Sequence, residues 1–537
     1  MKNNIRKLGT VLAFAVASGT WGNAAFAQLL ETPTAFYWLG FPGLQAEAEV
    51  GARQGSAVAV GDFNCDGFGD LAMGAPADDV WTFVFPDFRT FEQAGSVTVV
   101  YGTSDGLGTD TQVVTLASFG SSLPIADFDF FGEVLTVGDF NGDDCDDLAI
   151  GAPLKDFGLA ENVGAVAVAL GRSDGVQPRT ALYQGTFGIT STGEAGEQFG
   201  HALAAGDVDG DGFDDLVVGV PREDVLDAEN AGSIHILFGE GSATGFATSG
   251  HRLYDRFSTN FPGSRQTDGY FGWAVAVGTG LFEGRADVFV SEMGRDVDSA
   301  IQAGAVLRLI DAHDPSDLFV LEFNQNSSGV PGTAEDYDRF GRSLAVGDFD
   351  GDGVTDIAVG VNEGLNIDGE TLSAAGAVNV LYQAVFGGPD SQMWTQGHFA
   401  SVEAEPFDRF GEVLAVGDFD RNGTDDLAIA VTGEDFAGKE DAGFVHILRG
   451  LQGFGFVGLD FRQNLSLPFP NVEDHFGAAM AAGPLGSGNS DDLVVGVPGK
   501  DFAPAFNTGI AATYESLALF GDNFESGDLS QWTSVAP

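Results

Sequence analysis

Positively charged residues are scarce in this chain of 537 residues, and their scarcity limits what the chain binds. Lys and Arg number 23 against 79 Asp and Glu, which gives a formal net charge of −56. Nucleic-acid phosphates and anionic lipid surfaces both require a basic face, so this balance argues against either partner. Hydrophobic residues still make up 44% of the chain, too many for a disordered acidic tail. The composition indicates a folded protein whose carboxylates hold cations.

Long apolar runs are missing beyond the N-terminus. Residues 1–27 combine a basic start, an apolar stretch and Ala25-Phe26-Ala27 before Gln28, which is the pattern of a secretory signal peptide. The apolar stretch is too short for a membrane anchor, and no later segment has about 18 uninterrupted apolar residues. We therefore expect cleavage after Ala27 and a secreted, periplasmic or cell-surface protein without a membrane span.

Cysteine and the usual catalytic signatures are almost absent. The chain has no G-x-S-x-G or H-E-x-x-H motif, and its seven histidines are scattered. Cys65 and Cys145 lie in consecutive copies of the repeat described next. In an exported protein they either form a disulfide or remain two free thiols. We predict no catalytic residue and no enzyme activity, although acid pairs for glycoside chemistry are too numerous to judge from sequence.

The sequence has instead 78 glycines and one recurring segment, exemplified by GDFDGDGVTDIAVGVN at 347–362. The corresponding segments occupy residues 61–76, 138–153, 206–221, 278–293, 347–362, 417–432 and 483–498. The intervals between their second residues are 77, 68, 72, 69, 70 and 66 residues. A steady period near 70 residues indicates a repeat architecture of seven units.

Two further landmarks keep the same register. A glycine stands seven residues before each second position, and phenylalanine precedes it in six units: Phe131, Phe199, Phe271, Phe340, Phe410 and Phe476. Downstream of each segment, a glycine opens a run of alternating apolar residues, as in GSIHILFG at 232–239. We expect the six phenylalanines to pack between neighbouring units.

Each unit reads as four short strands. In the fifth unit these are residues 343–346, 356–361, 376–382 and 392–395, with a tight loop at 348–356. Four strands repeated seven times predict an all-β, seven-bladed β-propeller of antiparallel blades over residues 51–520, with an open β-solenoid as the alternative. Residues 28–50 contain ETPTAFYWLG, which would supply the outer strand of blade seven, and residues 521–537 form a polar tail.

The order Phe-Gly, acidic loop, Gly-Ala-Pro resembles that of FG-GAP repeat proteins. Gly-Ala-Pro occurs at 74–76 and 151–153, and units four and six depart from it with Ser291-Glu292-Met293 and Ala430-Val431-Thr432. The resemblance extends to the seven-bladed head of integrin alpha subunits and to bacterial secreted proteins of similar build. It covers roughly residues 50–515 and implies calcium loops and a role in adhesion.

The acidic loops follow the spacing D-x-[DN]-x-[DN]-G-x-x-D, which matches the start of an EF-hand calcium loop. Side chains at positions one, three, five and nine and the carbonyl at position seven would form an oxygen cage, here between two strands. All of these ligands are hard oxygens, which favours Ca²⁺ over Zn²⁺ or copper. The alternative is an acidic turn with solvated carboxylates.

Five units supply this set, so about five Ca²⁺ sites are predicted. The ligands are Asp62, Asn64, Asp66, the Phe68 carbonyl and Asp70; Asp139, Asn141, Asp143, the Cys145 carbonyl and Asp147; Asp207, Asp209, Asp211, the Phe213 carbonyl and Asp215; Asp348, Asp350, Asp352, the Val354 carbonyl and Asp356; Asp418, Asp420, Asn422, the Thr424 carbonyl and Asp426. Asp144 replaces the loop glycine in unit two. Units four (Thr279, Leu281, Glu283) and seven (Pro484, Gly486, Gly488) lack the ligands and are predicted to be metal-free.

Unit one also has an aromatic insertion, WTFVFPDFRTF at 81–91, which suits carbohydrate or protein binding or folds down as a hydrophobic cover. We expect a monomeric, secreted, calcium-binding propeller that recognises an extracellular protein or glycan in adhesion or ligand binding. The alternatives are an extracellular polysaccharide lyase or hydrolase on the same scaffold and a structural cell-envelope component.

Overall fold

The computed structural model describes eleven segments of the chain. These are residues 35–37, 51–84, 87–281, 284–367, 370–382, 391–399, 404–456, 462–465, 470–485, 491–501 and 507–514. The proposed signal peptide (1–27) and the C-terminal tail (521–537) lie outside the described residues. Among the described residues, no helix has the length and hydrophobicity needed to cross a bilayer.

Seven four-stranded antiparallel sheets form the blades of a β-propeller, which confirms the predicted fold. Blade one consists of Ala57–Gly61, Asp70–Ala75, Ser96–Thr103 and Gly106–Val114; blade two of Val134–Gly138, Asp147–Ala152, Ala165–Leu170 and Gln177–Leu182; blade three of Ala202–Gly206, Asp215–Val220, Ser233–Leu237 and Arg252–Asp255; blade four of Phe271–Thr279, Ala286–Glu292, Ala305–Ile310 and Phe319–Phe323; blade five of Leu344–Gly347, Asp356–Val361, Ala377–Leu381 and Gln392–Trp394; blade six of Phe410–Gly417, Asp426–Val431, Phe444–Leu448 and Arg462–Leu465; blade seven of Ala479–Gly483, Asp492–Val497, Ile510–Tyr514 and Ala35–Tyr37.

The last blade combines the two ends of the propeller sequence. Ala35–Tyr37 pairs antiparallel with Ile510–Tyr514, with Ala35 opposite Thr513. Because the outer strand of blade seven precedes blade one in the chain, the pairing joins the first and last repeats and leaves no open seam.

Short elements decorate the blades. Val80–Val84 and Asp87–Phe91 form a hairpin on blade one, and Leu365–Ile367 pairs with Glu370–Leu372 on blade five. Two 3₁₀ segments, Leu116–Ser122 and Gln396–His398, follow the fourth strands of blades one and five.

The hydrophobic core lies between neighbouring blades. The second strand of each blade is buried on both faces, as in Asp215–Val220, where every residue is buried. The six phenylalanines of the Phe-Gly landmark are all at most 1% exposed, which confirms that they pack between blades. Each unit therefore buries its strands against the next, as expected when one repeat cannot bury its own apolar faces.

The two glycine landmarks meet at the same inter-blade contact. Gly232, which opens the third strand of blade three, forms a parallel bridge with Phe271 of blade four. Its φ is 84°, and a Cβ atom there would collide with the backbone of Phe271. Gly509 of blade seven pairs in the same way with Gln54 of blade one. Only glycine tolerates both the left-handed conformation and the close approach.

Cys65 and Cys145 form a disulfide between the acidic loops of blades one and two, with a Cα–Cα distance of 5.1 Å. This resolves the alternative left open by the sequence. The bridge closes a loop with a sequence separation of 80 residues and contributes about 2–4 kcal/mol to stability, as is typical of native disulfides. It also fixes two acidic loops relative to each other.

Candidate metal centres

The acidic loops of blades one, two, three, five and six are hairpins that connect the first and second strands and wrap around their own carboxylates. In blade five the Asp348 carboxylate accepts hydrogen bonds from the backbone N–H groups of Asp352 (3.0 Å) and Gly353 (2.8 Å). Asp356, at the start of the second strand, accepts a bond from Phe349 N–H at 3.0 Å. These bonds turn the backbone around one point and direct the carboxylates toward it.

In each of three hairpins, three carboxylates lie close together. The oxygens of each group lie within 4.8 Å of one another, and each group combines loop positions one, three and nine: Asp207, Asp209 and Asp215; Asp348, Asp350 and Asp356; Asp418, Asp420 and Asp426. Positions one and three are partly exposed, and position nine is buried. This is the arrangement that the spacing predicts for a cation held between hard oxygens.

Blades one and two carry asparagine at position three but keep the same loop geometry. In blade one, Asp62 accepts bonds from Asp66 N–H (3.0 Å) and Gly67 N–H (2.8 Å). In blade two, Asp144 stands where the other loops have glycine, yet it adopts a φ of 63° and its N–H donates to Asp139 at 2.9 Å. The replacement of glycine therefore leaves the loop intact.

The residues predicted at position five lie at the exposed rim of each loop, outside the three-carboxylate groups. Their side-chain oxygens accept a hydrogen bond from the N–H of position seven, at distances of 2.8–3.2 Å: Asp66 from Phe68, Asp143 from Cys145, Asp211 from Phe213, Asp352 from Val354 and Asn422 from Thr424. These bonds hold position seven in the turn.

Burial makes the position-nine carboxylates difficult to ionise without a cation. It raises the pKa of Asp70 to about 7 and the pKa of both Asp147 and Asp215 to about 8. Neighbouring loop aspartates add to the increase, while backbone N–H donors such as Gly102, which contacts Asp70 at 2.6 Å, oppose it. Buried carboxyls surrounded by other carboxyls take up either a proton or a metal ion.

The donor set fits Ca²⁺. Carboxylate and backbone carbonyl oxygens are the ligands of this hard cation, and in the described part of these loops the metal-facing groups include no sulfur or imidazole. Blade six differs from the others because the Arg449 guanidinium forms an ion pair with Asp420, a position-three carboxylate. A positive charge from the protein therefore already lies beside one member of that group.

In blade four the position-nine aspartate pairs with an arginine. Asp287, its position-nine residue, accepts a hydrogen bond from Arg308 Nε at 2.8 Å, and Arg308 Nη2 lies 2.7 Å from the same oxygen. Arg308 is fully buried and packs over the ring of Phe289. Thr279 and Leu281 occupy positions one and three, and Glu283 lies outside the described residues. The guanidinium supplies the charge that a metal would supply elsewhere.

Sequence reasoning missed Arg308, although a signal was present. The other blades have Val99, Val168, Ile236, Val380, Ile447 and Thr513 at the corresponding position of the third strand. A single arginine at a position that holds uncharged side chains in the other blades, in a unit without the loop acids, indicates an internal counter-ion. In blade seven, Asp492 accepts a bond from Leu485 N–H at 3.2 Å, and Gly486 and Gly488 lie outside the described residues.

A second set of aspartates, at loop position eight, links neighbouring hairpins. Each accepts a hydrogen bond from the position-one N–H of the preceding blade, at 2.7–3.0 Å: Asp146 from Asp62, Asp214 from Asp139, Asp425 from Asp348 and Asp491 from Asp418. Because position one is also a candidate ligand, these bonds connect the candidate metal centres of blades one, two, five and six to the next blade. The calcium-loop spacing predicts no role for these residues.

Comparison with known proteins gives the same repeats. A family model described as FG-GAP repeat matches residues 54–100, 131–169, 199–237, 340–380 and 410–448, which lie in the five blades with acidic hairpins. Integrin alpha-PS2 of Drosophila melanogaster is 29% identical over 333 residues, which cover 57% of this chain and 21% of that protein. Phosphatidylinositol-glycan-specific phospholipase D of Rattus norvegicus is 33% identical over 192 residues, covering 36% of this chain and 20% of the enzyme.

The chain thus spans about a fifth of the length of these curated relatives. Among solved structures, the Dos1 propeller matches with 12% identity and a TM-score of 0.42, covering 90% of this chain and 95% of that one. The repeat matches and the seven-bladed architecture confirm the resemblance seen in the sequence. The protein is a seven-bladed β-propeller that carries five FG-GAP repeats and is similar in sequence to integrin alpha proteins.

Proposed function

We propose that the protein is a secreted, calcium-binding propeller that serves as an adhesion or ligand-recognition module. The observation that carries this proposal is the recurrence of the same acidic hairpin in five blades of an integrin-alpha-like propeller. Calcium would supply positive charge that holds each hairpin closed. Its affinity is expected to lie in the range of extracellular modules, roughly 10⁻⁴–10⁻³ M.

An exposed aromatic hairpin on blade one supplies a candidate recognition surface. Trp81 and Phe88 stack with ring centroids 4.3 Å apart and an interplanar angle of 5°. They are 66% and 56% exposed, so these two rings do not fold down as a hydrophobic cover. A stacked aromatic pair in solvent offers flat apolar area with little conformational entropy to lose, which suits a sugar ring or a protein side chain.

Replacing Trp81 with alanine is expected to weaken ligand binding by at least tenfold, because exposed aromatic anchors contribute about 1.4 kcal/mol or more at binding sites. Glycan and extracellular-protein arrays, probed with the full chain in calcium and in EDTA, would identify the ligand, and titration would measure the loss. Phe454→Ala is the matched control, since Phe454 is a 73% exposed aromatic residue of blade six. Equal affinities of the Trp81 variant and wild type would remove this hairpin from the recognition surface.

A second candidate function is polysaccharide cleavage, and one cavity favours it. Arg53, Glu133 and His201 line a cavity of about 400 Å³ at the Gly-Ala-Pro end of blades seven, one, two and three, and Pro76 and Pro153 also line it. Burial raises the pKa of Glu133, against the opposing charge of Arg53, and lowers the pKa of His201 to about 4. A neutral imidazole and a carboxyl group that line one cavity offer a proton acceptor and a proton donor.

Turnover of a glycan panel tests this candidate. An enzyme would release products that Glu133→Gln abolishes, while Glu161→Gln, an exposed substitution on another loop, would leave the rate unchanged. Binding without turnover on the same panel would assign the protein to recognition alone.

A further inference from the structure

Blades three, five and six carry a second acidic cluster at the opposite end of their first two strands from the hairpins. Each cluster combines an acid two residues before the Phe-Gly phenylalanine, an acid after the second strand and a glutamine after the fourth strand of the preceding blade. We call these the acid-pair sites: Glu197, Glu223 and Gln184; Asp338, Glu363 and Gln325; Asp408, Glu434 and Gln396.

The glutamine joins the two blades in each acid-pair site. Gln184 Nε2 donates to Glu223 Oε2 at 2.6 Å, and Gln325 Nε2 donates to Glu363 Oε2 at 2.8 Å. Gln396 Nε2 donates to Glu434 in the same way. The three interactions recur because the blades are repeats. In each site the glutamine belongs to the unit that precedes the unit of the two acids, so a comparison of single units does not bring them together.

The other half of each amide is left without a partner. Gln184, Gln325 and Gln396 are 5%, 2% and 0% exposed. Within the part of the chain that the structure describes, the Oε1 atom of each is buried and accepts no hydrogen bond. A buried carbonyl oxygen without a donor costs about 1–3 kcal/mol. The same unfavourable arrangement in three blades points to a bound partner for this oxygen, either a hydrogen-bond donor or a cation.

In blades two and seven, which lack the glutamine cluster, a lysine lies at the corresponding place. There the residue after the second strand is a lysine rather than glutamate. Lys155 Nζ lies 3.0 and 3.2 Å from the two oxygens of Asp129, and Lys500 Nζ lies 3.0 Å from Asp474. Asp129 and Asp474 correspond to Glu197 of blade three. An ammonium cation therefore neutralises the shared acid in two blades.

In the acid-pair sites a second acid stands in place of the lysine, and among the described residues no Lys or Arg forms an ion pair with these acids. The strongest electrostatic neighbours of Glu223 are the acidic residues Glu197, Glu194 and Asp255, and burial raises its pKa to about 8. The Glu434 pKa is likewise raised to about 8, chiefly by burial and then by Asp408.

A third acid lies at the rim of each acid-pair site and is absent from the two lysine blades. Glu194, Glu335 and Glu405 precede the buried acid by three residues in blades three, five and six, where Ala126 and Asn471 stand in the two lysine blades. Their backbone N–H groups bind the buried acid, as Glu335 N–H does to Asp338 at 2.6 Å. All three blades with the extra rim carboxylate lack the lysine.

We propose that each acid-pair site binds a Ca²⁺ ion through its two carboxylates and the glutamine carbonyl oxygen, in place of the lysine ammonium of blades two and seven. Rotation of the glutamine amide would turn Oε1 toward the ion and would break the hydrogen bond from Nε2 to the glutamate. Oxygen-only donors with two negative charges suit Ca²⁺. These sites are separate from the hairpin centres, so the protein would hold two classes of calcium site.

The test is to convert the acid-pair sites into lysine sites. The variant carries Glu223→Lys, Glu363→Lys and Glu434→Lys, which copies blades two and seven. Equilibrium dialysis of the full chain at pH 8 against radiolabelled calcium counts the ions bound. We expect the variant to bind three fewer ions per chain than wild type. A second variant with glutamine at the same positions covers the case in which the lysine variant fails to fold.

The control variant has the same change in net charge but carries it on exposed loops, as Glu161→Lys, Glu440→Lys and Glu473→Lys. It should bind as many ions as wild type. The expected difference of three bound ions between wild type and the lysine variant does not depend on the hairpin sites, because it would persist even if the hairpins bound no calcium. Unchanged stoichiometry in the lysine and glutamine variants would overturn the proposal. In that case the carboxyl pairs share a proton, and the substitutions would alter only the pH dependence of stability.

Discussion

Excess EDTA is expected to lower the melting temperature of the calcium-loaded protein by roughly 7 °C at pH 8. An ion that binds only the folded state at ten times its Kd stabilises it by about 1.4 kcal/mol, so five hairpin sites contribute about 7 kcal/mol. Unfolding entropy of about 2.1 cal/mol/K per residue converts this into the stated fall in Tm. The physical cause is repulsion among carboxylates such as Asp348, Asp350 and Asp356, which lie within 4.8 Å of one another.

The effect of calcium should grow as the pH rises. In the metal-free folded state Asp70, Asp147 and Asp215 keep their protons up to pH 7–8, because burial raises their pKa values to about 7, 8 and 8. In the unfolded chain they have released these protons by about pH 4. The metal-free protein therefore loses stability between pH 4 and 8, by up to about 1.4 kcal/mol per pH unit for each retained proton.

Differential scanning fluorimetry in EDTA and in calcium, at pH 5.5 and 8.5, measures both parts of this prediction. The difference in Tm should be small at the lower pH and large at the higher one, and added calcium should restore the Tm. A Tm that is the same in EDTA and in calcium at pH 8.5 would contradict calcium stabilisation of the hairpins.

Replacing Arg308 with leucine is expected to destabilise the protein by about 3–5 kcal/mol. The substitution leaves the Asp287 carboxylate buried without its partner, and breaking one side of a buried ion pair has a cost of this size. The loss should be equal in calcium and in EDTA, because blade four uses the guanidinium in place of a metal ion. Denaturant unfolding in the two buffers measures it.

A double substitution supplies the control for Arg308. Asp287→Asn with Arg308→Leu removes both charges and should recover most of the lost stability, as replacement of whole buried ion pairs often does. If the single variant were as stable as wild type, or lost stability only in EDTA, the assignment of Arg308 as the internal cation of blade four would be wrong.

The sequence predicted features whose determinants lie within one repeat. Asp348, Asp350 and Asp356 are close in the chain, and their spacing sets the hairpin in which they meet. The Phe-Gly and third-strand glycine landmarks were recognisable because seven copies repeat them, and the structure explains them through one contact, as between Gly232 and Phe271.

What the sequence did not provide depends on contacts between strands or between blades. Arg308 reaches Asp287 across adjacent strands, and Asp146 reaches the backbone of Asp62 from the next blade. Predicting the Cys65–Cys145 disulfide required knowledge of the distance between the two loops that carry the cysteines. The acid-pair sites combine residues that are far apart in sequence, such as Gln184 and Glu223.

Crystals grown in calcium chloride and measured at long wavelength, where calcium scatters anomalously, test the central claim most directly. The account predicts an anomalous peak within the hairpin of each of blades one, two, three, five and six, and none beside Asp287 of blade four. Hairpins without peaks at millimolar calcium would contradict it.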